Sequence, residues 1–354
     1  MDLYRFGLLL YIIDHFRGQR TFFGAYHLLV GKKSAQSIQD GPLYGVESLF
    51  GVLPYLKKDH VEEIRRQMLN KGFIVEDENR MTTITEEGRQ FHNHQRDHKP
   101  IPESLAGGEY EFSGQADWFW RRLVLFWQSL SYARHNDYTF LPIDYDRTIQ
   151  TWVKKHFPRN KEGQSKWAKQ LFHELSTFLQ SIDDLRAEVF TRKLSGYQHV
   201  GETVEQLGET FDYDADYVYL LLRSTIHELI NTIRENPQNF RALAEFVMPL
   251  EANSSVLTDS ANITRRHLFN GLAIDEIAKE RGLKRSTIED HIVEMAYRLK
   301  DFPISAFVSY EDQKEIWQAA KQQDTKRLKQ IKEEISADID YFAIRLSLSK
   351  IDKG

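Results

Sequence analysis

The sequence contains no cysteine. That absence excludes disulfides, thiolate zinc sites, iron–sulfur clusters and cysteine nucleophiles together, and it points to a reducing compartment. Long apolar runs are lacking too. The longest early one, Phe6 to Ile13, ends at Asp14 and is too short to span a bilayer. Asp2 and Arg5 precede it and no small-residue cleavage site follows, so no secretory leader is expected and a soluble cytoplasmic protein is. Nor is there an excess of positive charge. Forty-seven Lys and Arg against 52 Asp and Glu leave a formal net charge of −5. A surface coated for nucleic acid is thereby excluded, while local basic patches are not. With 354 residues, 41% of them hydrophobic and 28% charged, the chain is ordinary globular material, long enough for two or three cores.

The most informative stretch runs from Ile263 to Leu299. Three short helical patterns are punctuated at Gly271 and Gly282, which is the spacing of a helix-turn-helix. Ile274, Ile277 and Ala278 recur on one face, and Ala278 is small where two helices must cross. Gly282 supplies the left-handed residue that stops the second helix. Ser286 or Thr287 is expected to start the third, on which Ile288 and Ile292 form an apolar stripe.

Upstream, Leu3–Phe16, Thr21–Val30 and Val61–Asn70 read as helices, the last capped by Asp59 or His60. Short strands at residues 72–75 and 82–85 follow, with a turn over Glu76 to Arg80. Helices followed by a small hairpin is the winged-helix order, so residues 1–95 are expected to be one module. A polar bridge ending in Lys99-Pro100-Ile101-Pro102 makes 96–114 a linker. Residues 115–251 read as almost entirely helical, with Pro142, Pro158, Pro237 and Pro249 at boundaries. Within them the motif's skeleton recurs at an offset of seventy. Gly201 answers to Gly271, Leu207 to Ile277, Gly208 to Ala278, Tyr213 to Leu283, Val218 to Ile288 and Leu222 to Ile292. Residues 185–235 are therefore read as a second helix-turn-helix. Residues 252–354 form the C-terminal domain, where helices at Ser309–Ala320, Lys326–Ile335 and Tyr341–Leu348 are expected to pack back on the motif. The fold class is mainly α.

Phe269-Asn270-Gly271-Leu272-Ala273-Ile274, Glu276 to Leu283 and Ser286 to Ile292 carry a resemblance. Residues 263–354 resemble the helicase-associated helix-turn-helix domain at the end of many RecQ-type DNA helicases. The whole chain, including Gly31 to Asp40, is similar to the stand-alone YpbB-like proteins of Gram-positive bacteria. That resemblance implies an accessory role beside a RecQ-type helicase and no chemistry, since the helicase motor is lacking.

Lys284, Arg285, Ser286 and Thr287 would stand at the N-terminal end of a recognition helix, where side chains and free amides meet phosphates or base edges. Lys279 and Arg281, one turn earlier, would add backbone contacts. In the related LuxR-type regulators the base-reading positions follow a Thr-Ile or Thr-Val pair. Here they are Glu289 and Asp290, whose adjacent carboxylates face strong phosphate repulsion. A second basic cluster, Lys57, Lys58, Arg65, Arg66 and Lys71, lies on or next to the helix before the hairpin, diluted by Glu62 and Glu63. The hairpin turn is acidic and has no aromatic wedge to part a duplex.

Apparent chemical motifs fail on inspection. His227-Glu228-Leu229-Ile230-Asn231 has Asn231 where a zinc-protease helix needs its second histidine. Asp212 to Asp216 mimics a calcium loop but continues with Tyr217 for glycine and Arg223 for glutamate. His92, His94 and His98 would share a metal only if a linker folded around it. Gly31-Lys32-Lys33-Ser34 lacks the earlier glycine of a phosphate loop. No catalytic, cofactor or metal residue is assigned. The expected function is a non-enzymatic adaptor coupling a RecQ-type helicase to DNA or to repair proteins. The alternatives are a DNA-binding transcriptional regulator reading through Lys284–His291 and, third, an enzyme of unrecognised type.

Overall fold

A computed structural model describes residues 3–247, 256–299 and 301–351. Asp2, Pro249 and the boundary expected between 251 and 252 lie outside the described residues. These hold nineteen α-helices and one two-stranded sheet, so the chain is mainly helical. In order they are α1 Leu3–Phe16, α2 Phe22–Leu29, α3 Ala35–Leu43, α4 Lys58–Asn70, β1 Ile74–Glu76, β2 Thr82–Ile84 and α5 Glu86–His98. Next come α6 Gly107–Ser113, α7 Gln115–Arg134, α8 Arg147–His156, α9 Lys161–Leu179, α10 Asp184–Arg192, α11 Val204–Phe211, α12 Ala215–Glu235 and α13 Arg241–Ala244. The last are α14 Asp259–Phe269, α15 Ile274–Arg281, α16 Arg285–Arg298, α17 Tyr310–Gln322, α18 Leu328–Glu333 and α19 Tyr341–Leu348. None of the described helices is long and apolar enough to cross a membrane.

Two compact units emerge, and neither follows the linear division into 1–95, 96–114, 115–251 and 252–354. One gathers Met1–Leu8 with Phe91–Ser254, the other Leu9–Gln90 with Ser255–Gly354. The stretch expected to be a linker, 96–114, instead holds the end of α5 and all of α6. Three bonds tie it down: Lys99 donates to Asp214 (2.6 Å), Ser104 to Glu228 (2.6 Å) and the Ala106 amide to His227 Nδ1 (3.1 Å).

The first unit is built on the aromatic face of α7. Phe119, Leu123 and Phe126 bury against Leu171 and Phe178 of α9 and against Val218 and Leu222 of α12. Its buried arginines are paired, and the buried Glu174 accepts from the Ala242 and Leu243 amides. Arg5 holds Asp216 at 2.7 Å, and Arg223 grips the Glu111 carboxylate through Nε and Nη2. His227 is a core histidine with both nitrogens in use, since Nε2 meets Glu111 at 3.0 Å while Nδ1 accepts from Ala106.

The repeat at offset seventy is a repeat of structure. α11 and α15 are both eight residues long and start at 204 and 274. Each ends in a left-handed residue, Asp212 (φ 57°) or Gly282 (φ 63°), and α12 and α16 start at 215 and 285. Even the caps correspond. The Gln206 side chain accepts from the Thr203 amide at 2.8 Å, as Glu276 does from Ala273 at 2.7 Å. Leu207, Ile277, Val218, Ile288 and Ile292 are fully buried.

In the second unit α1, α2, α4 and the hairpin keep the winged-helix order, with Thr21 bridging Met81 beside the β1–β2 ladder. α4 starts at Lys58 with Lys57 as its N-cap, two or three residues earlier than the expected Asp59 or His60 cap. α3 is the element that sequence patterning hides. Its last turn contains Gly41 and Pro42, and Gln39 and Asp40 are buried, which is the composition of a loop. The polar groups are satisfied by arginines: Arg20 donates to Asp40 at 2.7 Å and Arg345 to Gln39 at 3.2 Å.

Candidate nucleic-acid interface

The C-terminal helix-turn-helix is assembled by its punctuation. The Thr258 hydroxyl accepts from the Ala261 amide and caps α14, and Gly271 (φ 84°) turns the chain into α15. After Gly282 the chain enters α16 at Arg285, with extended Lys284 as N-cap. Neither Ser286 nor Thr287 caps the helix; both lie in its first turn. Ile277, Ile288 and Ile292 seal the three helices with Ala278 at the crossing.

α16 is open over its first turn and enclosed farther along. His291, Ile292, Val293, Glu294, Met295 and Ala296 are all buried. Six buried residues in a row cover more than one full turn, so every side of the helix is occupied. α14 and α15 cover part of it, and α3 and α19 cover the rest. Polar links reinforce the enclosure. Glu294 accepts from the Thr258 amide and, at 3.0 Å, from its hydroxyl, while Arg298 reaches Glu47 at 2.5 Å. Burial, joined by the Arg281 charge, pushes the His291 imidazole below its ordinary value; its Nδ1 meets Thr264 Oγ1 at 2.8 Å.

The expected contact residues divide accordingly. Arg281 was placed at a DNA backbone, but its guanidinium turns inward. It donates to the Ser260 carbonyl at 2.8 Å, to the Ser260 hydroxyl at 2.9 Å and to Thr264 Oγ1. Arg285 is clamped between Asp275 (2.6 Å) and Glu289 (2.8 Å). Asp290 pairs with Arg345 of α19 at 2.6 Å. The acidic pair is thus not two bare carboxylates: each is answered by an arginine of the same domain. Lys279, Lys284 and Ser286 are exposed, Thr287 half so, and neither lysine has an ion pair among the described residues.

The cluster before the hairpin is similarly depleted. Arg65 binds Glu76 and Glu62 (Nε to Glu76 at 2.8 Å), and Arg66 lies 3.3 Å from Glu63. Lys58 sits 5.6 Å over the Phe23 ring and Lys71 6.0 Å over Phe73, which leaves Lys57 exposed at the helix start. The hairpin turn is closed by Asp77 Oδ1, which accepts from the Asn79 and Met81 amides at 2.8 Å.

Sequence patterning missed the groups that are open. Arg265 and Arg266 on α14 are exposed and have no ion pair among the described residues. Phe269, 91% exposed, lines with Arg265 a groove of about 620 Å³ floored by Leu268, Met295, Phe302 and Phe307. The signal was there in Arg265-Arg266 followed one turn later by an aromatic. Yet Phe269 ends an apolar pattern and so reads as core.

Residues 260–348 match a family model described as "Helix-turn-helix domain". The chain is also similar to Protein YpbB of Bacillus subtilis (strain 168), with 30% identity over 334 residues. That alignment covers 94% of this chain and 93% of the Bacillus protein. No solved structure matches. Because identity at this level extends over nearly the whole of both chains, and not over the motif alone, the chain belongs to the YpbB family.

Proposed function

We propose that the protein is a non-enzymatic accessory factor of a RecQ-type DNA helicase, acting in DNA repair or recombination. Protein contacts carry most of its affinity and a few phosphate contacts assist. The observation behind this reading is that α16 is enclosed from His291 to Ala296 and that Arg285, Glu289 and Asp290 nearer its start are held in ion pairs within the domain, which leaves only its first turn for a groove. Of the expected contact residues, those open for phosphate are Lys279, Lys284, Ser286 and Thr287 near the turn and Lys57 at the start of α4, joined by Arg265 and Arg266 on α14. The helicase as partner rests on the resemblance of the C-terminal motif to helicase-associated domains.

The rival reading, a transcriptional regulator, is favoured by one feature, the open first turn of α16 with Lys284 and Ser286 exposed. Fluorescence anisotropy with a labelled duplex, titrated with salt, separates the two. An accessory factor making two or three phosphate contacts gives a log–log slope of roughly −2 to −3 and no sequence preference. A regulator gives a preferred sequence whose tight binding is lost in Lys284→Ala. Calorimetric titration against the purified RecQ-type helicase of the same organism tests the partnership directly. Absence of binding there, with and without a forked DNA, overturns the helicase reading.

A further inference from the structure

The connection from α7 to α8, residues 135–146, has the composition of core and the exposure of surface. Leu141 is 80% exposed, Tyr145 71%, Tyr138 59% and Ile143 43%. A loop this apolar collapses onto its own domain unless something holds it out, and several bonds do. The buried Gln128 amide works in both directions, donating to the Leu141 carbonyl (3.1 Å) and accepting from the Ile143 amide (2.9 Å). Arg121 clamps Asp144 at 2.6 Å and reaches Asp146 at 3.3 Å. Gln150 donates to the Asp144 carbonyl at 2.9 Å, and Phe140 stacks on Tyr132 at 4.6 Å. The arm is therefore held in one shape before any partner arrives, which lowers the ordering cost of binding.

Its inner edge borders a groove of about 580 Å³. Tyr138, Phe140 and Pro142 form one wall, and Val153, Phe157 and Pro158 the other. Lys154 and Arg159 line the same groove, both exposed and neither in an ion pair among the described residues. Of the three acids on the arm, Asp144 and Asp146 are engaged by Arg121, and Asp137 accepts from the Thr139 amide and hydroxyl. The groove thus offers apolar walls with two basic side chains at its rim, neither in an ion pair among the described residues.

We infer that this groove docks a partner protein's peptide segment carrying a bulky apolar side chain flanked by Asp or Glu. The apolar residue fills the space beside Tyr138 while the carboxylates meet Lys154 and Arg159, so the contact needs both chemistries at once. A nucleic-acid strand carries the same negative charge and its bases stack on aromatic rings, but it has no bulky alkyl side chain to fill the space between Tyr138 and the Val153–Pro158 wall. The inference stands whether or not a helicase is the partner, because its probe is a peptide and no helicase enters the test.

The test selects a phage-displayed random dodecamer library on the full-length protein, then measures the enriched sequences as fluorescein-labelled synthetic peptides by anisotropy. Enrichment of peptides pairing Trp, Phe or Leu with Asp or Glu is expected. Their affinity should fall at least about tenfold in Tyr138→Ala and again in the double variant Lys154→Glu, Arg159→Glu. These side chains are exposed, so thermal midpoints should match the parent and loss of binding is not loss of fold. Three results overturn the inference. They are no acidic–apolar enrichment, enriched peptides that bind both variants as tightly as the parent, or self-association in light scattering that Tyr138→Ala abolishes. The last would identify a second copy as the occupant.

Discussion

Replacing Arg281 by alanine separates a structural arginine from a DNA-binding one. The guanidinium makes three hydrogen bonds, two to Ser260 and one to Thr264 Oγ1. Hydrogen bonds to a charged group contribute about 1.5–3 kcal/mol each when the partner cannot find water. Ser260 is half-buried, so water replaces the arginine there at small cost. Thr264 is fully buried but keeps His291 Nδ1 at 2.8 Å, which limits the penalty at that atom too. The loss should therefore be about 2–3 kcal/mol rather than the sum of three full bonds. In a unit of roughly 180 residues, each kcal/mol moves the midpoint by about 2–4 °C, giving a fall of roughly 4–12 °C. Lys284→Ala should do the opposite. Its midpoint stays within about 1 °C, while the salt slope for duplex binding shrinks by about one unit. Circular dichroism at 222 nm gives the first quantity and anisotropy the second, measured well below either midpoint. If Arg281→Ala melts like the parent yet loses DNA binding, the inward orientation of this side chain is wrong and the enclosed-motif argument weakens with it.

Burial holds the His227 imidazole below its usual 6.5, so the folded chain keeps it neutral while the unfolded chain takes up a proton. Urea midpoints should accordingly be level above about pH 6.5 and fall below it, and His227→Gln should remove that part of the slope. Glu111 adds a second acid loss lower down. Burial raises its carboxyl, but Arg223 and His227 outweigh burial and hold it below the ordinary 4.5, so that contribution fades as pH drops through the folded value. A Cβ at Gly208 would meet the Tyr213 carbonyl oxygen at 2.7 Å, and the backbone must yield. Gly208→Ala should destabilise by about 1–3 kcal/mol in urea unfolding, although the equivalent position 278 is already alanine. At Gly31 both conformation and space forbid a side chain, with φ at +71° and the Gly51 Cα 2.8 Å from the added atom. Gly31→Ala should cost more than either effect alone, at least about 2 kcal/mol by the same measurement.

Local signals carried far in this chain because they coincide with punctuation. Gly271 and Gly282 both adopt positive φ, and the seventy-residue offset survives down to the capping side chains at 206 and 276. α19 has the expected limits because Asp340 caps it, its side chain accepting from the Ala343 amide. Three things escaped. α3 hid because a helix ending in Gly41-Pro42 with buried Gln39 and Asp40 looks like a loop until Arg20 and Arg345 are known to reach it. The linker over 96–114 looked solvated for the same reason, its partners lying more than a hundred residues away. Arg281 and Arg285 were read by position alone, and nothing local says whether such a side chain turns to Ser260 and Asp275 or out to a phosphate. For α3, 96–114 and Arg281 the missing information is a polar partner on another element, which periodicity does not encode; for Arg285 the Glu289 partner stands at i+4 and was legible.

The same absence bears on what the helix-turn-helix is for. In the first unit the repeat's third helix, α12, is buried without interruption from Leu220 to His227; in the second, α16 is buried from His291 to Ala296. Both copies therefore use as a central beam the helix that a groove-reading protein holds out to solvent. Entry of α16 into a major groove about 12 Å wide would require stripping off α3 and α19. That would expose Val293 and Ala296, break Asp290–Arg345 and, if the Glu47 turn after α3 leaves with it, cost Arg298 its carboxylate. Losing so many buried contacts costs several kcal/mol, more than the ~1–3 kcal/mol that a good bidentate base contact returns. With Glu289 and Asp290 already engaged by arginines, what the helix has left to offer is its first turn, at Lys284, Ser286 and Thr287. The surfaces that packing leaves open are the first turn of α16, the arginine-flanked Phe269 groove of α14 and the arm after α7.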